Sequence, residues 1–304
     1  MTRVAAIDCG TNALRLLIAD VDAHGMLVDV TRLMRTVRLG EGVDRTGEFS
    51  SAALERTFAV CEEYAQLIHE HGVERSRFVA TSASRDVSNR AQFVEGVTAR
   101  MGVSPEVIAG TEEAGLSYEG ATRSLPNLVE PALVVDIGGG STEFVLGAQS
   151  VSVNIGCVRM TERHLHSDPP TDAEIALVRA DLAEALDRAA ASVDLRSAGT
   201  LVGVAGTVTT VAARALGMNS YDPAVLHGAV IEREPLEGAI VDLVAMSRVE
   251  RAALPYMHPG RVDVIGGGAL VLAAVVEAVG LPRITVSECD ILDGIAYRLA
   301  AETP

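Results

Sequence analysis

The feature that most constrains the fold is a pattern that occurs twice in the chain. An apolar run that ends on an acid is followed by a glycine turn and a second apolar run, first as VAAIDCGTNALRLLI near the N-terminus and again as LVVDIGGGSTEFVL in the middle of the chain. When Asp8 is aligned with Asp136, Gly10 falls on Gly138 and the following apolar runs stay in register. Each half of the chain is therefore predicted to begin with a strand, an acid-x-glycine turn and a second strand.

Two interpretations of these turns are open. Ordinary β-hairpins would also use Gly, Asn and Asp, because these residues tolerate the backbone angles of tight turns. Hairpins alone do not explain why an acid ends the first strand in both copies. Glycines let backbone N–H groups converge on a phosphate, and a carboxylate beside them can hold a divalent cation or a water. The duplication therefore favours two turns that together clamp a phosphate chain.

Along the rest of the chain, short β-rich runs alternate with longer helical patterns, which is typical of α/β proteins. Helices are predicted over 52–70 and 172–192, with Ser51 and Thr171 as their N-caps. The segment 122–131, with two prolines and an asparagine, is the predicted link between two domains. Strands are predicted over residues 4–7, 14–19, 77–80, 107–109, 132–135, 144–146, 202–205 and 284–286.

Composition excludes several classes of protein. Lys and Arg number 25 against 41 Asp and Glu, a formal net charge of −16, and this field would repel nucleic acids and anionic membrane surfaces. Asp8, Asn12 and Arg15 interrupt the first apolar stretch, and no run approaches the roughly 20 residues that a membrane helix needs. The 4 cysteines are far apart and form no CxxC pair, so neither a disulfide framework nor a zinc site is indicated. A cytoplasmic protein without nucleic-acid or membrane partners is expected.

The duplicated hairpins resemble those of the superfamily of actin, sugar kinases and heat-shock chaperones, in which two related domains close on a phosphorylated ligand. Six ordered segments narrow the resemblance to the exopolyphosphatase and guanosine-pentaphosphate phosphatase family: DCGTNALRLLIADV, ATSASRDVSNR, IAGTEEAGLSYEG, DIGGGSTEFVLG, AGTVTTVAA and DVIGGGALVL. The resemblance implies an α/β fold of two related actin-like (ribonuclease H-like) domains with an interdomain active-site cleft. Domain I is expected to comprise 1–123 with a C-terminal helix in 289–304, and domain II to comprise 124–288.

The resemblance also implies roles for individual residues. The family's catalytic glutamate lies in GTEEA, where Glu113 is expected to be the base and Glu112 is the alternative one position away. Asp136 and Glu143 resemble the magnesium ligands, with Asp8 as a third partner, directly or through a water. The expected phosphate-binding groups are Asn12, Arg15, Arg85, Gly138, Gly139, Gly140, Ser141 and Thr142.

Simpler interpretations of four of these residues stay open. The adjacent glutamates Glu112 and Glu113 both suit the first turn of a helix, where acids favour the positive end of the dipole. Glu143 is equally compatible with a charge that faces solvent on an edge strand. Arg85 is also compatible with a salt bridge to Asp86 or to another neighbour.

The activity expected from the resemblance is the removal of terminal phosphate from inorganic polyphosphate, with Mg²⁺ or Mn²⁺ as the metal. Hydrolysis of guanosine pentaphosphate (pppGpp) is the alternative within the family, and a nucleotide-binding sensor or kinase of the superfamily is the alternative from another class. EEA together with DIGGGSTE favours hydrolysis over kinase transfer. The segment GGGAL at 266–270 either contacts a nucleoside base or lets a helix pack closely on a strand. A homodimer is one option for the oligomeric state.

Overall fold

The computed structural model describes residues 1–22, 24–85 and 87–301. The chain forms two compact units: unit 1 contains Met1–Gly120 and the segment that begins at Ile291, and unit 2 contains Ala121–Asp290. For comparison, the boundaries predicted from the sequence are 123/124 and 288/289. Part of the predicted C-terminal helix, residues 302–304, lies outside the described residues.

The strands, in chain order, are β1 Thr2–Cys9, β2 Ala13–Val21, β3 Leu27–Thr36, β4 Arg75–Ala80, β5 Glu106–Val107, β6 Ala132–Ile137, β7 Thr142–Leu146, β8 Gln149–Val153, β9 Thr200–Val204, β10 Val230–Glu232 and β11 Arg283–Val286. The helices are α1 Val43–Thr46, α2 Ser51–Glu70, α3 Ser82–Arg85, α4 Arg90–Met101, α5 Gly110–Arg123, α6 Cys157–His164, α7 Asp172–Ala190, α8 Ala205–Ala215, α9 Pro223–Leu226, α10 Arg233–Ala245, α11 Arg248–Ala252, α12 Ile265–Val279 and α13 Ile291–Ala301. Within the described ranges, none of these helices combines the length and the apolar character that crossing a bilayer demands.

Both units use the same strand arrangement, which confirms the predicted duplication and the α/β class. Unit 1 has the order β3-β2-β1-β4-β5, and unit 2 has β8-β7-β6-β9-β11 with β10 added at the edge beside β11. In each unit the first three strands are antiparallel, and the next two join in parallel. The register repeats as well, because Asp8 lies opposite Arg15 and Asp136 lies opposite Glu143. The active-site cleft between the two domains stays a prediction.

The sheet of unit 1 is covered on both faces. Along β1, Ala5 and Ile7 pack on one face with residues of α2 and α4, whereas Val4 and Ala6 pack on the other face with α13. This alternation follows from the two-residue period of a strand. Because both faces are buried, the strand is apolar at nearly every position and was recognisable as a continuous apolar run.

All eight predicted strands overlap observed ones, but β3, β8 and β10 were missed. β3 lies at the edge of its sheet, and its charged side chains are paired: Arg32 binds Asp29 at 2.7 Å and Asp293 at 2.6 Å. Such a strand carries no continuous apolar run for a sequence pattern to detect. Two predicted strands extend past the observed ends: 107–109 runs beyond β5, which ends at Val107, and 202–205 runs beyond β9, because Ala205 has φ 67 and begins α8.

The two predicted helix caps had different outcomes. Thr171 caps α7 as predicted, in a capping box with Glu174. The prediction of Ser51 for α2 was wrong by one residue, because the hydroxyl of Ser50 accepts the N–H of Ala53 at 3.2 Å and Ser51 is already helical. Two adjacent serines have the same capping chemistry, and only the backbone conformation distinguishes them.

Candidate functional site

The glycine turn of unit 1 is held by its own backbone. The N–H of Gly10 donates to the carbonyl of Ala13 at 3.0 Å and closes the turn between β1 and β2. The carbonyls of Thr11 and Asn12 accept N–H groups from the segment 37–40 at 2.8 to 3.0 Å. These bonds fix the position of the turn that carries Asn12, one of the predicted phosphate-binding residues.

Asp8 and Arg15 form an ion pair beside this turn. Arg15 Nη2 lies 2.6 Å and Nε lies 2.9 Å from Asp8 Oδ2, and Asp8 is only 4% exposed. A charge within an apolar strand needs such a partner. In the repeated register, the position of Arg15 in unit 1 corresponds to Glu143 in unit 2. The turn of unit 1 therefore combines one acidic and one basic side chain, Asp8 and Arg15, whereas the turn of unit 2 combines two acidic side chains.

The two acids of unit 2 are buried next to each other. Asp136 on β6 is 7% exposed, and Glu143, directly opposite on β7, is 1% exposed. The hydroxyls of Ser141 and Ser152 each donate to Glu143 Oε1 at 2.6 Å. Because β7 lies between β6 and β8, the interpretation of Glu143 as a solvent-facing charge on an edge strand is wrong.

This acidic pair has the chemistry of a magnesium site. Within the residues that the structure describes, no group of three or more His, Cys, Asp and Glu side chains forms a complete ligand cluster. Mg²⁺ is commonly held by one or two carboxylates together with substrate oxygens and waters. Asp136 and Glu143 repel each other when both are ionised, and a divalent cation would relieve that repulsion. The donor set therefore fits Mg²⁺ or Mn²⁺.

The carbonyls of the glycine turn in unit 2 are directed toward α6. The first three N–H groups of α6 donate to the carbonyls of Gly138 and Gly139 at 2.9 to 3.1 Å, and Arg159 Nε donates to the carbonyl of Gly140 at 2.8 Å. In a trans peptide the C=O and the following N–H point in opposite directions. The N–H groups of Gly139, Gly140 and Ser141 are therefore directed away from α6, as an anion-binding turn requires.

The predicted phosphate-binding residues of this turn consequently divide into two groups. Gly139, Gly140 and Ser141 have the N–H orientation just described. The N–H of Gly138 instead donates to the carbonyl of Ser141 at 3.0 Å and closes the turn. Thr142 is fully buried, and its hydroxyl donates to the carbonyl of Ile155 at 2.7 Å. Gly138 and Thr142 thus shape the turn through bonds inside the protein.

In unit 1, Arg85 and Glu113 form a second ion pair. Arg85 Nη1 lies 2.7 Å from Glu113 Oε2 and 3.3 Å from the carbonyl of Ile108. Arg85 thus forms an ion pair, but its partner Glu113 lies 28 positions along the chain and is not a sequence neighbour; Asp86 lies outside the described residues. Glu112 pairs with Arg77 at 2.6 Å, and its side chain is 40% exposed against 11% for Glu113.

Two arginines that sequence analysis did not single out hold the backbone of these segments. Arg90 donates to the carbonyl of Ser84 at 2.7 Å and also to the carbonyl of Arg85. Arg159 donates to the carbonyl of Gly140, as described above. Arg90 lies in the segment ATSASRDVSNR, but nothing in the local pattern shows that its side chain returns to the preceding turn.

The glycine triplet 266–268 lies in the first turn of α12 and packs closely. A Cβ at Gly267 would lie 2.5 Å from Thr161 Oγ1, and one at Gly268 would lie 2.6 Å from Thr207 Oγ1. Such distances exclude a larger residue unless the neighbouring helices move. The triplet therefore allows close packing, but against the helices α6 and α8 where the expectation was a strand; contact with a nucleoside base stays a prediction.

Comparison with known proteins places this arrangement in a family. The pattern that defines the Ppx/GppA phosphatase family matches residues 17–303. The chain is 50% identical to Exopolyphosphatase 2 of Mycobacterium tuberculosis, with 99% of each chain covered. It is 28% identical to Guanosine-5'-triphosphate,3'-diphosphate pyrophosphatase of Aeromonas salmonicida, with 97% of this chain and 59% of that protein covered. A crystal structure of an exopolyphosphatase-like protein shares 45% identity at a TM-score of 0.94, over 98% of this chain and 97% of the other. With a match over nearly its whole length, this chain belongs to the Ppx/GppA phosphatase family.

Proposed function

We propose that this chain is an exopolyphosphatase, which hydrolyses the terminal phosphoanhydride bond of inorganic polyphosphate with the help of Mg²⁺ or Mn²⁺. The observation that carries the choice of substrate is the 50% identity with Exopolyphosphatase 2 along both chains. The relative that acts on the guanosine compound is more distant, and this chain matches only 59% of its length. Hydrolysis of guanosine pentaphosphate is therefore the second candidate.

In this proposal Glu113 is the general base. Hydrolysis of a phosphoanhydride needs a water aligned opposite the leaving phosphate and a carboxylate that orients it and accepts its proton. Glu113 suits this role better than Glu112, because its side chain is nearly buried and is held by Arg85, whereas Glu112 is bound to Arg77 at the surface. The ion pair with Arg85 fixes the direction of the carboxylate.

Asp136 and Glu143 are the proposed metal ligands, supported by their burial and their position opposite each other. Mg²⁺ bound there would supply positive charge to the phosphate oxygens. Asp8 remains a proposed third partner through a water, and its bond to Arg15 already neutralises its charge. The hydroxyls of Ser141 and Ser152 orient the carboxylate of Glu143 by donating to one of its oxygens.

The proposed contacts to the phosphates are short-range, because the net charge of −16 opposes the approach of a polyanion. The N–H groups of Gly139, Gly140 and Ser141 provide neutral donors, and Arg15, Arg85 and Asn12 provide the remaining donors in unit 1. The same net charge supports the proposal that the enzyme has no nucleic-acid or membrane partner. We further propose that it works in the cytoplasm.

A parallel phosphate-release assay tests the proposed function. Purified protein is incubated with inorganic polyphosphate or with guanosine pentaphosphate, each with Mg²⁺, with Mn²⁺ and with a chelator. Release from polyphosphate at the higher kcat/KM, abolished by the chelator, is the expected result. Faster release from guanosine pentaphosphate would establish the second candidate. Nucleotide binding without phosphate release from either compound would indicate the sensor of the wider superfamily.

Replacing Arg85 with Ala is expected to raise the KM for polyphosphate about five- to tenfold, because a guanidinium that can bind phosphate oxygens is lost. The substitution also removes the ion-pair partner that orients the carboxylate of Glu113, so kcat is expected to fall as well. Steady-state kinetics on polyphosphate measure both effects. Arg35→Ala is the matched control, since Arg35 forms an exposed ion pair with Glu63 in the same unit. Unchanged kinetics in Arg85→Ala would remove this residue from the site.

Replacing Arg15 with Ala is expected to destabilise the fold in addition to weakening substrate binding. The substitution leaves the buried carboxylate of Asp8 without its guanidinium, and breaking such a pair from one side costs about 3 kcal/mol of unfolding free energy. Denaturant unfolding of Arg15→Ala and of the double variant Asp8→Asn with Arg15→Ala measures this cost. Stability should recover in part in the double variant, because the unpaired charge is then absent. Equal stability of wild type and Arg15→Ala would show that the ion pair with Asp8 does not stabilise the fold.

A further inference from the structure

We propose that Arg159 is a positioning residue of the glycine turn in unit 2. Its guanidinium holds the carbonyl of Gly140 toward α6, so that the N–H of Ser141 is directed at the substrate phosphate. This inference rests on the proposed function, because it takes the turn to be the phosphate-binding element. Arg159 is then the group that keeps the turn in its binding conformation.

Three consecutive glycines cannot hold one conformation by themselves. Gly138, Gly139 and Gly140 lack the side chains that restrict backbone rotation, so each peptide unit can turn over at little steric cost. A turned peptide would direct its carbonyl, the negative end of its dipole, at the bound anion. An anion-binding turn of this composition therefore needs partners on its carbonyl side.

The structure shows these partners, and they are of two kinds. The carbonyls of Gly138 and Gly139 accept backbone N–H groups of α6, which a substitution removes directly only if it introduces proline. The carbonyl of Gly140 accepts a side-chain donor, Arg159 Nε, at 2.8 Å. Arg159 is thus the side chain on which the orientation of the peptide between Gly140 and Ser141 depends.

The N-terminal end of α6 is in backbone contact with the turn, so the position of Arg159 relative to the turn is fixed. A Cβ at Gly156 would lie 2.5 Å from the carbonyl oxygen of Gly139 and 2.8 Å from that of Gly138. The helix that carries Arg159 therefore cannot approach more closely, and its distance from the turn is set by backbone contact. A charged donor also makes a stronger hydrogen bond to a carbonyl than a neutral donor does.

The test compares three substitutions at Arg159 with a control on the same helix. Arg159→Met keeps the aliphatic stem but removes both donor and charge, Arg159→Lys keeps a charged donor, and Arg159→Gln keeps a neutral one. Arg163→Met is the control, because Arg163 lies one turn further along α6 and binds Asp181 at 2.6 Å away from the turn. Three quantities are measured for each protein: the Kd of inorganic phosphate by calorimetry with Mg²⁺ present, KM and kcat for polyphosphate, and the midpoint of thermal unfolding.

Arg159→Met is expected to raise the phosphate Kd and the polyphosphate KM about tenfold, the scale of one charge-assisted hydrogen bond, while kcat changes less. Arg159→Lys should restore most of the affinity and Arg159→Gln a smaller part, with unfolding midpoints near that of the wild type. If Arg159→Met does not fold, the comparison of Lys with Gln decides the question.

Three results would overturn the proposal: a phosphate Kd that is unchanged in Arg159→Met, an equal loss in Arg163→Met, or a loss that follows the unfolding midpoint and is not restored by Lys. Failure of the proposed function is a separate outcome. A wild-type protein that releases phosphate from neither substrate would contradict the enzyme assignment, whereas the phosphate titrations would still decide the role of Arg159.

Discussion

Glu113→Gln is expected to lower kcat for polyphosphate by about 10²- to 10⁴-fold, the range typical of a lost general base. Glutamine keeps the size of the side chain and can still bind Arg85, but it cannot accept a proton from the attacking water. Substrate binding should change little, so the KM should stay within a fewfold of the wild-type value. Single-turnover and steady-state kinetics together separate the chemical step from binding.

Glu112→Gln is the matched control for this substitution, because the two residues are adjacent in the first turn of α5 but have different surroundings. Glu112 is bound to Arg77 at the surface, so its replacement should leave kcat near the wild-type value. The opposite pattern, with near-normal turnover in Glu113→Gln and a large loss in Glu112→Gln, would show that the assignment of the base is wrong by one residue.

The second large effect is expected at the acidic pair of unit 2. Asp136→Asn and Glu143→Gln should each raise the Mg²⁺ concentration for half-maximal activity about tenfold or more, because a neutral amide is a poorer ligand for a hard cation than a carboxylate. Glu143→Gln carries an added cost, since the amide must fit between the hydroxyls of Ser141 and Ser152. Metal titrations of activity measure the shift for both variants.

Direct metal binding provides a readout that does not depend on turnover. Mn²⁺ binding followed by electron paramagnetic resonance should weaken in Asp136→Asn and Glu143→Gln. It should be unchanged in Asp242→Asn, a control in the same unit whose carboxylate forms an exposed ion pair with Arg214. Metal affinity equal to that of the wild type in both acidic-pair variants would exclude Asp136 and Glu143 as ligands.

The elements of this fold that follow from a local pattern were predictable from the sequence. The strands β1 and β6 were predicted because they are buried on both faces and are therefore apolar at successive positions. The turns that follow them were predicted because an acid and glycines occur together within a few residues. The alignment of Asp8 with Asp136 agrees with the observed strand register, since both lie at the same distance from their turns. Edge strands such as β3 carry paired charges in place of this pattern and were missed.

The partners of the charged residues were less accessible from sequence. Arg85 and Glu113 are 28 positions apart along the chain, and Arg159 is 19 positions from Gly140. A local pattern can indicate that Arg15 needs a partner, but the choice of Asp8 follows from the antiparallel pairing of β1 with β2. The alternative for Glu143 was likewise decided by the strands that lie on either side of it, and the close packing of the triplet 266–268 depends on the neighbouring helices α6 and α8.

The sequence by itself determined the duplicated strand–turn–strand units, the residues at the two turns and the family, because these depend on short-range periodicity and on residues that are close neighbours along the chain. Tertiary structure alone decided which charges are buried together, that Glu113 and not Glu112 is sheltered, and that Arg90 and Arg159 support the backbone of the candidate site. The physical reason is that hydrogen bonds and ion pairs form only between atoms within about 3 to 4 Å of each other. Folding brings within that distance residues that are far apart in the sequence, at separations that no local pattern predicts.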